Sequence, residues 1–290
     1  FHNRQFGTIL SINKTTGKPQ PWAVVRFCAQ TTRMVYAPKP EGAPYFLSME
    51  GFKVELSRYS VIEDKNPREI VLLRGRGCAW KRCRFCDYHL DASQDEEANL
   101  ILNREALSHV TGRYGRLEVI NSGSFAELHP STLAEVDKVC VERGIRDLHV
   151  ESHWLFRKTI PALREHFAQL GVTLHVKIGV ETFDADYRER ILDKGIDETD
   201  PAAIAAPFDE CCLLFGLSGQ SVEGMKRDVE TGLAHFHRVC INVMVPNTTP
   251  ILPDLEVRAA FVREVYPLYK DNPRVDILLE NTDFGVGEKL

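Results

Sequence analysis

Three cysteines stand in one short segment, Gly77-Cys78-Ala79-Trp80-Lys81-Arg82-Cys83-Arg84-Phe85-Cys86, spaced C-x4-C-x2-C. Thiolates brought together on one loop can ligate a metal centre. Three protein ligands rather than four leave a coordination position open for chemistry. The segment directly follows an apolar run, Ile70-Val71-Leu72-Leu73, that reads as a buried strand. Arg74, Arg76, Lys81, Arg82 and Arg84 surround the cysteines. They read either as a solvated loop or as a positive field that favours thiolates and anionic ligands.

Four readings of this loop compete. Three unrelated core cysteines would not sit beside Lys81, Arg82, Arg84 and Asp87, which are poor core neighbours. A plant-type ferredoxin site needs a fourth cysteine, and the next one, Cys140, falls far downstream in an expected helix. A structural Cys3His zinc site would recruit His89. The remaining reading is a [4Fe-4S] cluster held by Cys78, Cys83 and Cys86.

The elements that must position such a loop follow from the pattern of the chain. Residues 1–69 carry short apolar runs such as Trp22-Ala23-Val24-Val25, separated by turn formers, and read as a strand-rich extension. From residue 70 to 290 a unit recurs: an amphipathic helix, a closing glycine, then an apolar strand. Strands are expected near 70, 117, 146, 175, 212, 241 and 276. Helices are expected from Thr132, over 160–170, from Asp186 to Lys194, from Ser221 to Thr231, and over 253–269. Helices alternating with apolar strands imply an α/β fold with parallel strands covered by helices. The count points to a partial (β/α)6–7 TIM-like barrel, with a doubly wound sheet as the alternative. In a barrel, the cysteine loop lies at the strand C-terminal face, where active sites form.

The chain has 290 residues, is 43% hydrophobic and carries a net charge of -5. That mildly acidic balance speaks against nucleic-acid binding. No run approaches the ~20 apolar residues of a membrane span. Cys28, Cys140, Cys211, Cys212 and Cys240 lie in apolar or helical patterns and read as buried core thiols of a reducing compartment, the cytoplasm.

Several segments carry a resemblance. Phe85 precedes the last cysteine of the loop; the second strand ends in Asn121-Ser122-Gly123-Ser124-Phe125; the third ends in Val150-Glu151-Ser152-His153; the fourth ends in Ile178-Gly179-Val180-Glu181-Thr182. Across about residues 68–250 these resemble the radical S-adenosylmethionine (SAM) superfamily, in particular relatives of the Elongator catalytic subunit. The chain departs from the usual loop by one extra residue between Cys78 and Cys83. The compact barrel with this loop also looks like the queuine lyase group of bacterial queuosine salvage.

The resemblance implies that Cys78, Cys83 and Cys86 ligate a [4Fe-4S] cluster and that SAM binds its fourth iron. It further implies a one-electron donor such as flavodoxin or ferredoxin. Phe85, Ser122, Gly123, Ser124, Glu151, His153, Lys177 and Glu181 become candidate SAM contacts. Each has a plainer structural reading: loop packing for Phe85, a tight turn for Gly123, an ordinary strand end for His153, an outward-pointing chain for Lys177. A small-molecule substrate is expected, because no added RNA-binding or cysteine-rich domain is visible. For a queuine lyase, Asn281 and Asp283 would read the base edge, and Trp154 or Tyr88 would stack on it. The rivals are radical modification of another metabolite or tRNA, and a zinc-stabilised binding protein.

Overall fold

The computed structural model describes residues 57–279. The strand-rich extension, up to residue 56, and the candidates Asn281 and Asp283 lie outside the described residues. The described chain builds one sheet whose strands lie in sequence order. Strand β1 (Tyr59–Ile62) is an antiparallel edge strand against β2 (Arg68–Leu73). It belongs to the stretch read as the extension, yet it joins this sheet. The parallel series continues through β3 (Arg116–Asn121), β4 (Asp147–Glu151), β5 (Thr173–Glu181), β6 (Glu210–Phe215), β7 (Arg238–Val243) and β8 (Val275–Leu278). Every strand expected from the sequence is present, and the sheet curls into an incomplete TIM-like barrel. Among the described residues β8 has no ladder partner beyond β7. Side chains of the β1–β2 turn reach it instead: Asn66 Nδ2 donates to Asp276 Oδ1 (3.0 Å) and Lys65 Nζ to the Val275 carbonyl.

The helices are α1 (Glu96–Ser108), α2 (Pro130–Glu142), α3 (Ile160–Gln169), α4 (Pro201–Ala205), α5 (Val222–His235) and α6 (Leu255–Tyr269, with a π turn over Phe261–Val265). None is long and apolar enough to cross a membrane. Gly144 and Gly171 follow α2 and α3 at φ +63° and +75° with open space around them, so the left-handed backbone alone calls for glycine there. Ser221 caps α5 by accepting from Gly224 N, as its position suggests.

Three expectations are corrected. The helix read from Asp186 to Lys194 is a single π turn, Tyr187–Ile191. Helix α2 starts at Pro130 with His129 as its cap; Thr132 is buried inside it and accepts from Asn103 Nδ2 (3.2 Å). Helix α5 runs past Gly232, which is buried against Val239 and the Cys211 sulfur, where a larger residue would collide.

Alternate residues of each strand face opposite sides. In β4, Leu148 and Val150 join the main apolar core under the helices, whereas His149 and Glu151 face the barrel interior. That interior is charged at its lower end. Arg68 (β2) pairs with Glu118 (β3) and with Asp276 (β8, 3.5 Å). Lys177 (β5) pairs with Glu118 and, at 3.3 Å, with Glu151. Arg238 (β7) reaches Glu210 (2.6 Å), Asp276 (3.1 Å) and Glu118 (3.9 Å), and His149 Nδ1 meets Glu210 (2.8 Å). Buried charges persist only when paired in this way.

Candidate active site

The C-terminal ends of the parallel strands surround one cavity, which reaches from the cysteine loop down to this charged floor. The loop after β2 supplies Cys78, Cys83 and Cys86, and all three thiols are free and half-buried. Its path is held at several points. Trp80 Nε1 donates to the Asp193 carbonyl (2.7 Å), Arg84 N donates to the Leu192 carbonyl (3.0 Å), and Arg82 pairs with Asp193 at 3.3 Å. The Trp80 indole stacks on His153 (centroids 5.4 Å, planes 19° apart) and fills the space beside Gly195, where a Cβ would lie 2.2 Å from it. Lys81 then turns the chain back at φ +52°. The four residues between Cys78 and Cys83 are what allow Trp80 to reach down and the chain to return.

Glu127 ties this loop to the next one. Its Oε1 accepts from Ala79 N and its Oε2 from Ser124 N, both at 2.7 Å. Gly123 stands where any Cβ would come within 3.0 Å of the Gly77 carbonyl and of Glu127, so only glycine lets the two loops meet. Beside it, Asn121 Oδ1 and Ser122 Oγ are buried with no hydrogen-bond partner. Both residues line the cavity. Orphaned buried acceptors are costly, so this wall fits a ligand that brings N–H or O–H donors, as an α-amino group does.

At the opposite wall, Glu181 adopts φ +68° beside a bulge in the β5–β6 ladder and accepts from Lys194 Nζ (2.8 Å). Lys194 also lies 5.5 Å from the Phe85 ring centre. The positive field at the sulfurs therefore comes from Lys194, whereas Lys81, Arg82 and Arg84 are exposed. Burial pushes the Cys83 thiol up to about 12, and the Lys194 charge works against that shift. Cys86 is raised by burial as well.

The spacing of the three sulfurs is informative. Tetrahedral zinc at 2.3 Å bonds holds its sulfurs about 3.8 Å apart. Among the described residues, the one set of three His, Cys, Asp or Glu groups converging within 4.8 Å is His149, His175 and Glu210, on the barrel floor. The cysteine sulfurs, with or without His89, do not converge on one ion. Three open thiols around one cavity fit a larger, multinuclear centre.

The other sequence candidates are distributed as follows. His153 lines the cavity but spends both ring nitrogens on the backbone: Nε2 donates to the Lys194 carbonyl (2.7 Å) and Nδ1 accepts from Leu155 N (3.1 Å). Lys177 points inward, into the floor network, rather than outward between helices. Phe85 packs with Leu192, Leu214, Leu217 and Met244. Asn247 Nδ2 donates to the Phe85 carbonyl (2.7 Å) and steadies the loop. Tyr88 is an exposed residue at the cavity edge. Trp154 does not reach the cavity; it is buried against Phe208 and donates to Asp197. Of the thiols read as core, Cys140 and Cys211 are in the core, Cys28 is outside the described residues, and Cys212 and Cys240 line the cavity. Glu127, Lys194 and Trp80 were not singled out from sequence. For Glu127 the Ser124-x-x-Glu127 capping box was a legible signal, and the structure forms it.

Burial and the nearby Lys194 charge lower the His153 pKa from 6.5 to about 4. The unfolded chain takes up that proton near pH 6.5, the native state only near pH 4. Its contribution is therefore complete above pH 6.5 and is lost as pH falls towards 4, by at most ~3 kcal/mol. His153→Gln cannot titrate, and we expect it to flatten this loss by ~1–2 kcal/mol. Urea midpoints between pH 7 and pH 4 measure it; identical slopes in both proteins would refute it.

The site's geometry can be set beside known proteins. No protein-family model matches the chain, and no curated protein matches it. Among solved structures, it is similar to a queuine lyase from Clostridium spiroforme bound to SAM and queuine, at 41% identity and a TM-score of 0.76, over 81% of this chain and 100% of that one. A remote likeness, on which nothing here rests, is to SuiB of Streptococcus suis bound to S-adenosylmethionine, at 13% identity and TM-score 0.44, over 72% of this chain and 46% of that one. With the whole length of the first relative covered at this identity, and the cysteine loop placed where that superfamily carries it, the chain belongs to the queuine lyase family of radical SAM enzymes.

Proposed function

We propose that this enzyme cleaves queuine and releases 7-aminomethyl-7-deazaguanine, using a [4Fe-4S] cluster and SAM. The observation that carries the reading is the single cavity that joins three non-converging thiols to orphaned acceptors and a charged floor. Cluster and SAM together would supply a 5′-deoxyadenosyl radical able to abstract hydrogen from carbon.

The chain's own residues have separable tasks. Cys78, Cys83 and Cys86 hold the cluster, and Glu127 and Trp80 hold the loop that carries them. Asn121 Oδ1 and Ser122 Oγ accept from the SAM ammonium, with Gly123 and Ser124 shaping that wall. Phe85 packs along the adenine, and the Glu181–Lys194 pair orients the polar end of SAM. Below them, Glu151 and Lys177 offer charge to a polar substrate, and Tyr88 covers the entrance. Asn281 and Asp283 remain proposed substrate contacts. His153 acts by stacking on Trp80. An external low-potential protein supplies the electron, and the exposed Lys81 and Arg84 give an acidic donor a surface close to the cysteines.

The test is anaerobic reconstitution with iron and sulfide, then reduction with SAM and queuine. We expect about four irons per chain, 5′-deoxyadenosine, and 7-aminomethyl-7-deazaguanine in proportion to it. A colourless protein with one zinc and no iron would sink the radical reading. 5′-Deoxyadenosine without cleavage of queuine would move the activity to another metabolite.

A further inference from the structure

Two buried thiols in the cavity have no role in the scheme above. Strands β6 and β7 set Cys212 and Cys240 directly opposite each other in register. They are 8% and 7% exposed, both line the cavity, and their side chains are immediate neighbours on the same face of the two strands. The adjacent Cys211 alternates to the other face and is consumed by the apolar core.

The position of Cys212 is specific. Its register neighbour on β5 is Gly179, and the space over Gly179 is taken by the Glu181 carboxylate and Lys194 ammonium, which a Cβ would meet at 2.4 and 2.7 Å. Two residues further along β6, Leu214 packs against Phe85 of the cysteine loop. Successive interior positions on a strand are ~7 Å apart. The thiol thus sits between the end of the cavity that would hold the cofactor and the charged floor formed by Glu118, Glu151 and Lys177. A substrate cleaved in this cavity would lie within reach of it.

We propose that Cys212, backed by Cys240, is the hydrogen-atom donor that ends each turnover. The inference rests on the queuine-cleaving reading. Hydrogen abstraction leaves the radical on a hydroxyl-bearing carbon next to the carbon–nitrogen bond. The amine then departs with the bonding pair and takes up the hydroxyl proton, and the fragment left behind is a carbon-centred radical beside a new carbonyl. A carbon–hydrogen bond forms on it as the weaker sulfur–hydrogen bond of Cys212 breaks. The resulting thiyl shares its electron deficit with the sulfur of its register neighbour Cys240. One electron from the low-potential protein donor and one proton from solvent restore the thiol. Each product therefore requires two electrons, one to start the turnover and one to reset the cysteine.

Two experiments test this. In a cluster-free Cys78→Ser/Cys83→Ser/Cys86→Ser protein, mild oxidation with diamide should join Cys212 to Cys240, seen by peptide mass spectrometry as the loss of two hydrogens. Failure of the pair to cross-link would overturn the proposal, because the thiols would not be in contact. In deuterated buffer with the reconstituted enzyme and queuine, the cyclopentene-derived fragment should gain one solvent deuterium. Cys212→Ser, close in volume and so able to fold, should still form 5′-deoxyadenosine, while product per 5′-deoxyadenosine falls at least ~10-fold. An unchanged ratio with unchanged labelling would overturn the proposal and leave queuine cleavage intact. A wild-type enzyme that makes no 7-aminomethyl-7-deazaguanine would instead sink the proposed function, and this inference with it.

Discussion

Cys83→Ala is expected to abolish both iron binding and 5′-deoxyadenosine formation. In the proposed function Cys83 would be the middle ligand of a three-cysteine set with no spare: the other described cysteines are buried in α2 or on β6 and β7. Losing an outer-shell partner of a metal ligand typically costs 10–100-fold, so losing a ligand should exceed that, at ~10³-fold or more. The fold should survive, because the loop keeps its anchors at Leu192, Asp193 and Glu127. Iron content, visible absorbance and product analysis on the reconstituted variant decide it. A variant that keeps about four irons per chain would show that the loop is not the cluster site.

Arg238→Met is expected to destabilise the fold by ~3–5 kcal/mol at pH 7, the loss seen when one partner of a buried ion network is removed. Arg238 faces Glu118, Glu210 and Asp276, and its side chain is 9% exposed. Without it, three buried carboxylates share Arg68, Lys177 and a histidine held largely neutral by burial. The pH dependence has a definite sign. Burial would raise the Glu210 carboxyl, but His149 and Arg238 more than offset it and bring it from 4.5 down to about 2. That contribution is complete above pH 4.5 and is lost as pH falls towards 2. The gap between wild type and variant should therefore be widest near neutrality and narrow below pH 4.5. Urea unfolding at pH 7, 5 and 4 measures it. A loss under 1 kcal/mol at pH 7 would mean that the floor is not held by these pairs.

Much of the fold could be read from the chain because parallel strands covered by helices are continuous apolar runs. Arg-Glu-Ile-Val-Leu-Leu and Glu-Cys-Cys-Leu-Leu-Phe are buried end to end as β2 and β6. Those two runs also open with charges that a sequence alone cannot tell from exposed strand ends. Arg68, Glu118, Glu210 and Arg238 each look like solvated residues leading into a strand, and only the curled sheet turns them inward upon one another. The turn at Tyr187–Ile191 was mistaken for a helix for a related reason. Its Asp, Glu and Arg spacing suits a helix surface, but Arg188 is fully buried and donates to the carbonyls of Ile196 and Glu198, which keeps the chain from continuing.

The sequence by itself determined the chemistry available to the cysteine loop: three closely spaced thiols and an aromatic before the last of them are local facts, set by residue type and spacing. Tertiary structure alone decided what meets that loop. Lys194, rather than the arginines beside the cysteines, faces the sulfurs, because a glycine-flanked turn more than a hundred residues downstream folds back under Trp80. Trp154 was drawn into the core, whereas Cys212 and Cys240, which look like core residues, came to face the cavity. Strand alternation and barrel curvature decide such cases, since which face a residue takes depends on what the neighbouring strands bring opposite it.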